Sequence, residues 1–310
     1  MIFFYKTENN KVVQLPRLED GCWIRAISPN QEEMSFLIDE LKLDADFVRS
    51  SLDEEESSRI EMEDDQTLVI FDLPLMANED NNTVHYTTRP LGIIITQAHV
   101  VTVSSWRSPI LDEMADGTVK GVRTQLKTRF LLMLLFRAST RFLQYLKQID
   151  RISSSLENQL HQATKNELLM ELLGFEKSLV YFSTSLKSDE ITLEKILRGR
   201  VIKMYEEDQD LLEDVLIEVK QAIEMANIYS STLSRSMDAF SAIISNNMNR
   251  IMKTLTCITV LMEIPTIIYS FYGMNVQGLW FIGSVWFPLA LSVAVTILVA
   301  LILFAKKMFK

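Results

Sequence analysis

Asn249, Thr256, Glu263 and Ser270 recur every seven residues in a stretch otherwise made of Ile, Leu, Val, Met and aromatic side chains. A second register, Met252, Thr259, Thr266 and Gly273, runs three residues further on, so the two together form one stripe of a helix. In a soluble coiled coil that stripe would be apolar; here it is the polar one. Amide, hydroxyl and carboxylate oxygens in line are ligands for a cation or for the waters around it. Unpaired groups of this kind are costly against lipid, so the stripe must face protein or water. A single helix encloses no water, whereas several copies around an axis do. The expectation is a homo-oligomeric pore lined by Asn249, Met252, Leu255, Thr256, Thr259, Glu263, Thr266 and Ser270. The competing reading is tight helix packing through Thr, Ser and Gly. Glu263, near the middle of the stretch, weighs against it, because an intramembrane carboxylate marks an ion path by default. Both readings require oligomers.

Two apolar segments hold this stripe. Ile251 to Met274 carries one carboxylate and a lysine near its start, and Trp280 to Ala305 carries no charge. Each exceeds the roughly 20 helical residues needed to cross a hydrocarbon core of about 30 Å. Asn275, Val276, Gln277, Gly278 and Leu279 alone separate them, which predicts a tight transmembrane hairpin in contact with lipid. Arg250 and Lys253 stand at the start of the first span, and Lys306, Lys307 and Lys310 follow the second. By the positive-inside rule both termini are cytoplasmic in a multi-pass protein of the cell membrane, with the loop 276–279 outside.

The first span ends Tyr272, Gly273, Met274, Asn275. With the preceding SNNMNRIMKTLTCITVLMEIPTIIYSFYGMN, the two-span hairpin and the short basic tail 306–310, it resembles the CorA family of magnesium transporters and related divalent-cation channels. The resemblance covers the last third of the chain and rests on Gly-Met-Asn at the outer end of the first of two C-terminal spans. It implies a fold in which an α+β cytoplasmic domain is followed by long helices and the two-helix transmembrane hairpin, assembled as a funnel-shaped homopentameric channel. It also implies that Asn275 selects the ion while Gly273 and Met274 hold its geometry. Magnesium gives up its waters reluctantly, so a ring of neutral amide oxygens that bonds the hydrated ion suits it better than a tight cage. Position alone leaves a second role for Asn275, as a cap on the helix C-terminus. Apolar rings in the family's lower pore match Met252 and Leu255, which implies a dewetting gate there, with Asn249 at the cytoplasmic exit.

Two features depart from the family pattern. The family often carries Met-Pro-Glu-Leu after Gly-Met-Asn, whereas Val276, Gln277, Gly278 and Leu279 supply no acid. Glu263 stands where the family's pore usually has a neutral residue. Identical carboxylates at one level repel and titrate over a broad range, and Glu263 is expected to replace the missing loop charge by binding a cation inside the pore.

Ahead of the hairpin the chain is acidic, with 41 Asp plus Glu against 31 Lys plus Arg overall and a formal net charge of −10. Nucleic acid is excluded as a partner, since its binding relies on Lys and Arg; multivalent cations fit. The opening MIFFYK lacks the length and flanks of a signal peptide, and Cys22 and Cys257 are placed neither for a disulfide nor for a metal knuckle. Residues 1–117 form the α/β domain, with strands predicted at Ile2–Tyr5, Trp23–Ile27, Leu68–Asp72, Leu91–Thr96 and His99–Val103. Helices are predicted at Pro29–Leu41, with Asn30 as cap and Glu33 three residues on, and at Asp44–Leu52. The acidic run Asp53–Glu56 with Arg59 and Glu61 resembles the family's acidic segment; it also reads as a solvated helix end.

Residues 118–206 read as an antiparallel helical pair. The first helix runs from Gly117 or Thr118 to about Gln162, its face set by Leu126, Phe130, Leu134, Ala138, Phe142 and Tyr145. The second runs from Asn166 to about Ser185, followed by a broken region to 205. Residues 207–275 form a stalk and pore helix, membrane-embedded over about 251–274. No Pro or Gly interrupts Tyr205 to Ile264, which predicts one rod of more than roughly 80 Å. The second transmembrane helix is 280–305.

Asp214 and Asp238 match family acids on that rod, and Glu79 and Asp80 are their expected partners from the α/β domain. Such acids repel across subunits until bound magnesium bridges them, which would hold the gate shut. The expected function is magnesium transport, with magnesium as both cargo and regulator. Zinc, cobalt or nickel transport on the same architecture, proton-coupled through Glu263, is the alternative. A non-conducting membrane-anchored sensor or scaffold is the reading from another class. Enzymatic activity is not expected, because no nucleophile with its base, phosphate loop or catalytic metal motif occurs and only three His are present.

Overall fold

The computed structural model describes residues 1–78, 84–162, 166–199, 202, 204–274, 284–306 and 308. Contacts group the chain into two units, Met1–Ser236 and Met237–Lys310. The first unit is built on a seven-stranded sheet of β1 (Ile2–Glu8), β2 (Lys11–Leu15), β3 (Trp23–Ile27), β4 (Arg59–Glu63), β5 (Gln66–Asn78), β6 (Val84–Ile95) and β7 (Val100–Ser104), in the order β2-β1-β3-β7-β6-β5-β4. All neighbours are antiparallel except β3 and β7.

Period-two alternation assigns the faces of the sheet. Ile24, Ala26, Leu68, Ile70, Ile94, Val101 and Val103 point one way and bury Leu37, Phe47 and Val48. Those three belong to the segment carrying α1 (Gln31–Ser35), its π-helical continuation Phe36–Glu40, and α2 (Ala45–Ser50). From β3, Trp23 and Arg25 point the other way. Trp23 meets Phe130 of α4 (Lys127–Gln162) with ring centroids 5.0 Å apart. Arg25 pairs at 2.8 Å with Asp112 of α3 (Pro109–Ala115). Asn30 caps α1 through a reciprocal capping box with Glu33, at 2.8 and 2.9 Å.

The strands at β1, β3, β5, β6 and β7 lie where period and composition place them, β3 with the expected bounds and the others within a longer or shifted range. The short strands β2 and β4 were not anticipated. Their hairpins turn on Asn9 and Asn10, both with positive φ (50° and 62°), and on Asp64 (φ 48°), which lack the Asn-Gly or Asp-Gly signal that marks such turns. The structure adds α3 and moves the start of α4 from 117–118 to Lys127. Gly117 and Gly121 adopt φ of +72° and +81°, a left-handed backbone that ends α3 and keeps the next residues out of a helix. Leu126 therefore precedes α4 and is exposed, while Phe130, Leu134, Ala138 and Phe142 are buried.

The second helix of the pair, α5 (Asn166–Gly199), is not broken after Ser185. Leu186, Leu193 and Ile196 continue its buried face as far as the last described helical turn, which includes Gly199. Phe142 meets Phe182 edge-on at 5.1 Å where α4 and α5 touch, and Tyr86 of β6 stacks between Tyr145 and Phe175. Next comes α6, 67 residues of uninterrupted helix from Glu206 to Tyr272, opened by Asp208, whose carboxylate accepts the Tyr205 N–H at 3.2 Å. Pro265 is accommodated inside it. In the second unit α6 is joined by α7 (Trp286–Ala305), whose first turn comes six residues later than the expected start at Trp280; residues 280–283 lie outside the described ones.

Candidate functional site

Within the second unit, α6 and α7 are long and apolar enough to cross a membrane. A helix advances about 100° per residue, which places Asn249, Met252, Leu255, Thr256, Thr259, Glu263, Thr266, Ser270 and Gly273 within roughly one third of the circumference of α6. Every one of them is exposed in the single chain. The opposite face is the one that loses exposure. Cys257 is buried, and Thr254, Leu261, Ile264, Pro265, Ile268 and Tyr272 are half-buried. Contacts with α7 border this covered face: Tyr269 Oη lies 3.2 Å from Ser292 Oγ, and the rings of Tyr272 and Phe287 meet edge-on at 6.1 Å. The polar stripe is thus turned away from the protein's own second span.

The hydroxyls on this stripe are oriented. Thr256, Thr259 and Thr266 donate to the carbonyls of Met252, Leu255 and Met262 at 2.8, 2.9 and 3.1 Å. A hydroxyl has one proton and two lone pairs. With the proton spent on the helix backbone, each threonine shows its surroundings an acceptor. Bound waters of a cation turn their hydrogens outward, so a column of acceptors, with the Glu263 carboxyl among them, complements a hydrated cation and not an anion.

The upper end of α6 is tight. Gly273 N–H reaches Tyr269 O at 2.9 Å, and a Cβ on Gly273 would come within 3.1 Å of that same carbonyl. Met274 follows, exposed. Asn275 and the loop 276–279 lie outside the described residues, as do Glu79 and Asp80. Asp214 and Asp238 are both exposed on α6, one in each unit. Among the described residues no three His, Cys, Asp or Glu side chains converge within one chain as a metal site would require. The acidic run after α2 is engaged in surface pairs, Glu54 with Arg89 at 3.0 Å and Glu56 and Glu61 with Arg59 at 2.5 and 3.2 Å. The Tyr269–Ser292 link escaped the sequence reading, since Ser292 is one small polar residue in an apolar span and its partner is 23 positions away.

Comparison with known proteins bears on the whole chain. A family model described as CorA-like Mg2+ transporter protein matches residues 19–307. A cobalt/magnesium transport protein CorA from Methanocaldococcus jannaschii is 28% identical over 273 residues, covering 84% of each chain. Its namesake from Thermotoga maritima is 21% identical over 242 residues, 77% of this chain and 69% of that one. The complete structure of the CorA magnesium transporter from M. jannaschii superposes with a TM-score of 0.82 at 24% identity, over 97% of this chain and 96% of the other.

Proposed function

Because the chain belongs to the CorA family of Mg2+ transporters, we propose that it conducts hydrated magnesium across the cell membrane, through a pore that α6 builds with copies of itself. The family consists of transporters and not enzymes. The observation that carries the reading is the acceptor column of Thr256, Thr259, Glu263 and Thr266, exposed on the side of α6 opposite the face covered beside α7. Such a face needs water and neighbouring copies. Five copies follow from the family resemblance, as does the assignment of Gly273, Met274 and Asn275 to the selectivity filter at the outer mouth. Met252 and Leu255, apolar and more than half exposed in one protomer (53% and 56%), form the dewetting gate, and Asn249 the exit.

Cobalt is the second cargo in this reading, supported by the cobalt/magnesium transporter among the relatives. Arg250, Lys253 and Lys306 keep both chain ends on the cytoplasmic side. Divalent ions held between copies by Asp214 and Asp238, with Glu79 and Asp80, close the gate when internal magnesium is high.

Flux into proteoliposomes of purified protein, with Mg2+ against Co2+, Zn2+ and Ni2+, tests the function. Magnesium uptake inhibited by cobalt is the expected result, while a particle that passes no divalent ion overturns the reading. Labelling tests the geometry. A cysteine at position 259 should react with aqueous thiol reagents, while native Cys257, which is 1% exposed, should not.

A further inference from the structure

Where α5 meets the sheet, two carboxyl groups lie close together with no cation bonded to either among the described residues. Asp189 is fully buried. Its Oδ1 accepts the Ser58 hydroxyl at 2.7 Å and the backbone N–H of Asp72 at 3.0 Å, while Oδ2 is buried with no partner. Asp72, on β5, is held by the hydroxyl of Ser185, itself linked to Thr88 of β6 at 2.7 Å. The charged groups on the surrounding elements are committed elsewhere. Arg59 of β4 pairs with Glu56 and Glu61, and Arg89 of β6 with Glu54. Lys220 of α6 pairs with Glu190 and Glu194 of α5, and Lys187 of α5 is exposed.

Two bare carboxylates in this position would each lose hydration and would repel one another. Burial is the larger influence and the charge of Asp72 the next, and together they push Asp189 well above the ordinary carboxylate range against its bonds from Ser58 and the Asp72 N–H. Burial also raises Asp72, opposed by Ser185. A metal ion would need several oxygen ligands and room around Oδ2, an atom with almost no accessible surface. A proton needs neither.

We propose that Asp72 and Asp189 form a proton-binding site that holds one proton at neutral pH, taken from solvent onto Asp189 Oδ2, and that this proton keeps Asp189 neutral where its Oδ1 joins α5 to Ser58 and β5. The folded site holds the proton more tightly than the unfolded chain does, so its stabilisation is complete below the unfolded carboxyl value of about 4 and is lost as pH rises through the folded value. Over that window one proton changes the folding equilibrium constant by up to about tenfold per pH unit. Asp189→Asn keeps an acceptor for Ser58 and the Asp72 N–H and brings its own donors, so it stands in for the protonated acid.

The test uses the full-length protein in detergent. Chemical unfolding between about pH 5 and pH 8 should show wild-type stability declining with pH; Asp189→Asn should flatten that slope, and Asp72→Asn, which removes the smaller of the two influences, should end the decline at a lower pH. In infrared spectra at neutral pH, the stretch of a protonated carboxyl should be present in wild type, absent from Asp189→Asn and retained in Glu263→Gln. Parallel pH profiles in wild type and Asp189→Asn, or identical carboxyl bands in those two proteins, overturn the proposal. So does stabilisation by Mg2+ at fixed pH that wild type shows and Asp189→Asn lacks, which would make the occupant a metal ion.

Discussion

Glu263 projects from α6 between the acceptor hydroxyls of Thr259 and Thr266, exposed in the single chain. If it supplies the attraction that the acid-free loop 276–279 lacks, Glu263→Gln lowers magnesium uptake at low external concentration by about tenfold, equivalent to about 1.4 kcal/mol. Proteoliposome flux checks this, and unchanged uptake and selectivity would discard the role. At the other end of the chain, Arg25 is 3% exposed and bonded to Asp112 at 2.8 Å. Burial raises the Asp112 carboxyl, but its bonds to Arg107 and Arg25 outweigh that and hold it below its ordinary value. Its contribution is therefore present above about pH 4 and lost as pH falls through the lowered value, the reverse of the Asp72–Asp189 pair. Asp112→Ala should destabilise by about 3–5 kcal/mol, because it strands a buried guanidinium, and denaturant unfolding at neutral pH measures it. The heptad spacing that exposes Glu263 is legible in the sequence because it is local. The acid pair is not, since Asp72 and Asp189 are 117 residues apart and nothing in LVIFDLPL names the partner of its aspartate.

Among the elements, those with a long unbroken period were legible. The absence of Pro and Gly before Pro265 announced α6, and the alternation in β3 named its strand. Elements defined by backbone conformation were not. The left-handed Gly117 and Gly121 delay α4, and the Asn9–Asn10 and Asp64 turns create β2 and β4 from polar stretches. The region from 186 to 205, which contains Gly199, read as broken, yet α5 runs on to Gly199, and the polar Ser185, Asp189 and Thr192 on its inner face are buried and bonded within the core. Leu193→Ala, which empties a fully buried position, should cost about 2–5 kcal/mol. Lys195→Ala on the exposed face should stay within about 0.5 kcal/mol. Equal effects in unfolding assays would return that segment to a loop. In the membrane hairpin, Tyr269→Phe removes the hydroxyl that reaches Ser292 and should cost about 0.6 kcal/mol, a typical interhelical bond in lipid. The readout is stripe labelling: with the tether gone, a cysteine at position 259 should react more slowly, and an unaltered rate would show that packing alone sets the rotation of α6.

For the whole molecule, the acidic balance and the exposed acids on α6 bear on regulation. A chain of net charge −10 resists the approach of identical copies, and divalent cations relieve that repulsion. No three candidate ligands converge within one chain among the described residues, and in the proposed regulation an ion bound by Asp214 or Asp238 takes further ligands from another copy. Sharing between copies makes the ion an adhesive, because it binds the associated state and not the separated one, and mass action then shifts the balance toward association. Asp214→Lys substitutes a fixed positive charge for one ligand. It should weaken the magnesium protection of wild-type protein against protease by at least about tenfold in the concentration required, equivalent to about 1.4 kcal/mol. The same variant should conduct at internal magnesium levels that close the wild type. Identical protection curves for the two proteins would remove Asp214 from regulation and leave the acidic face as solvated surface, with conduction through the acceptor column unaffected by that outcome.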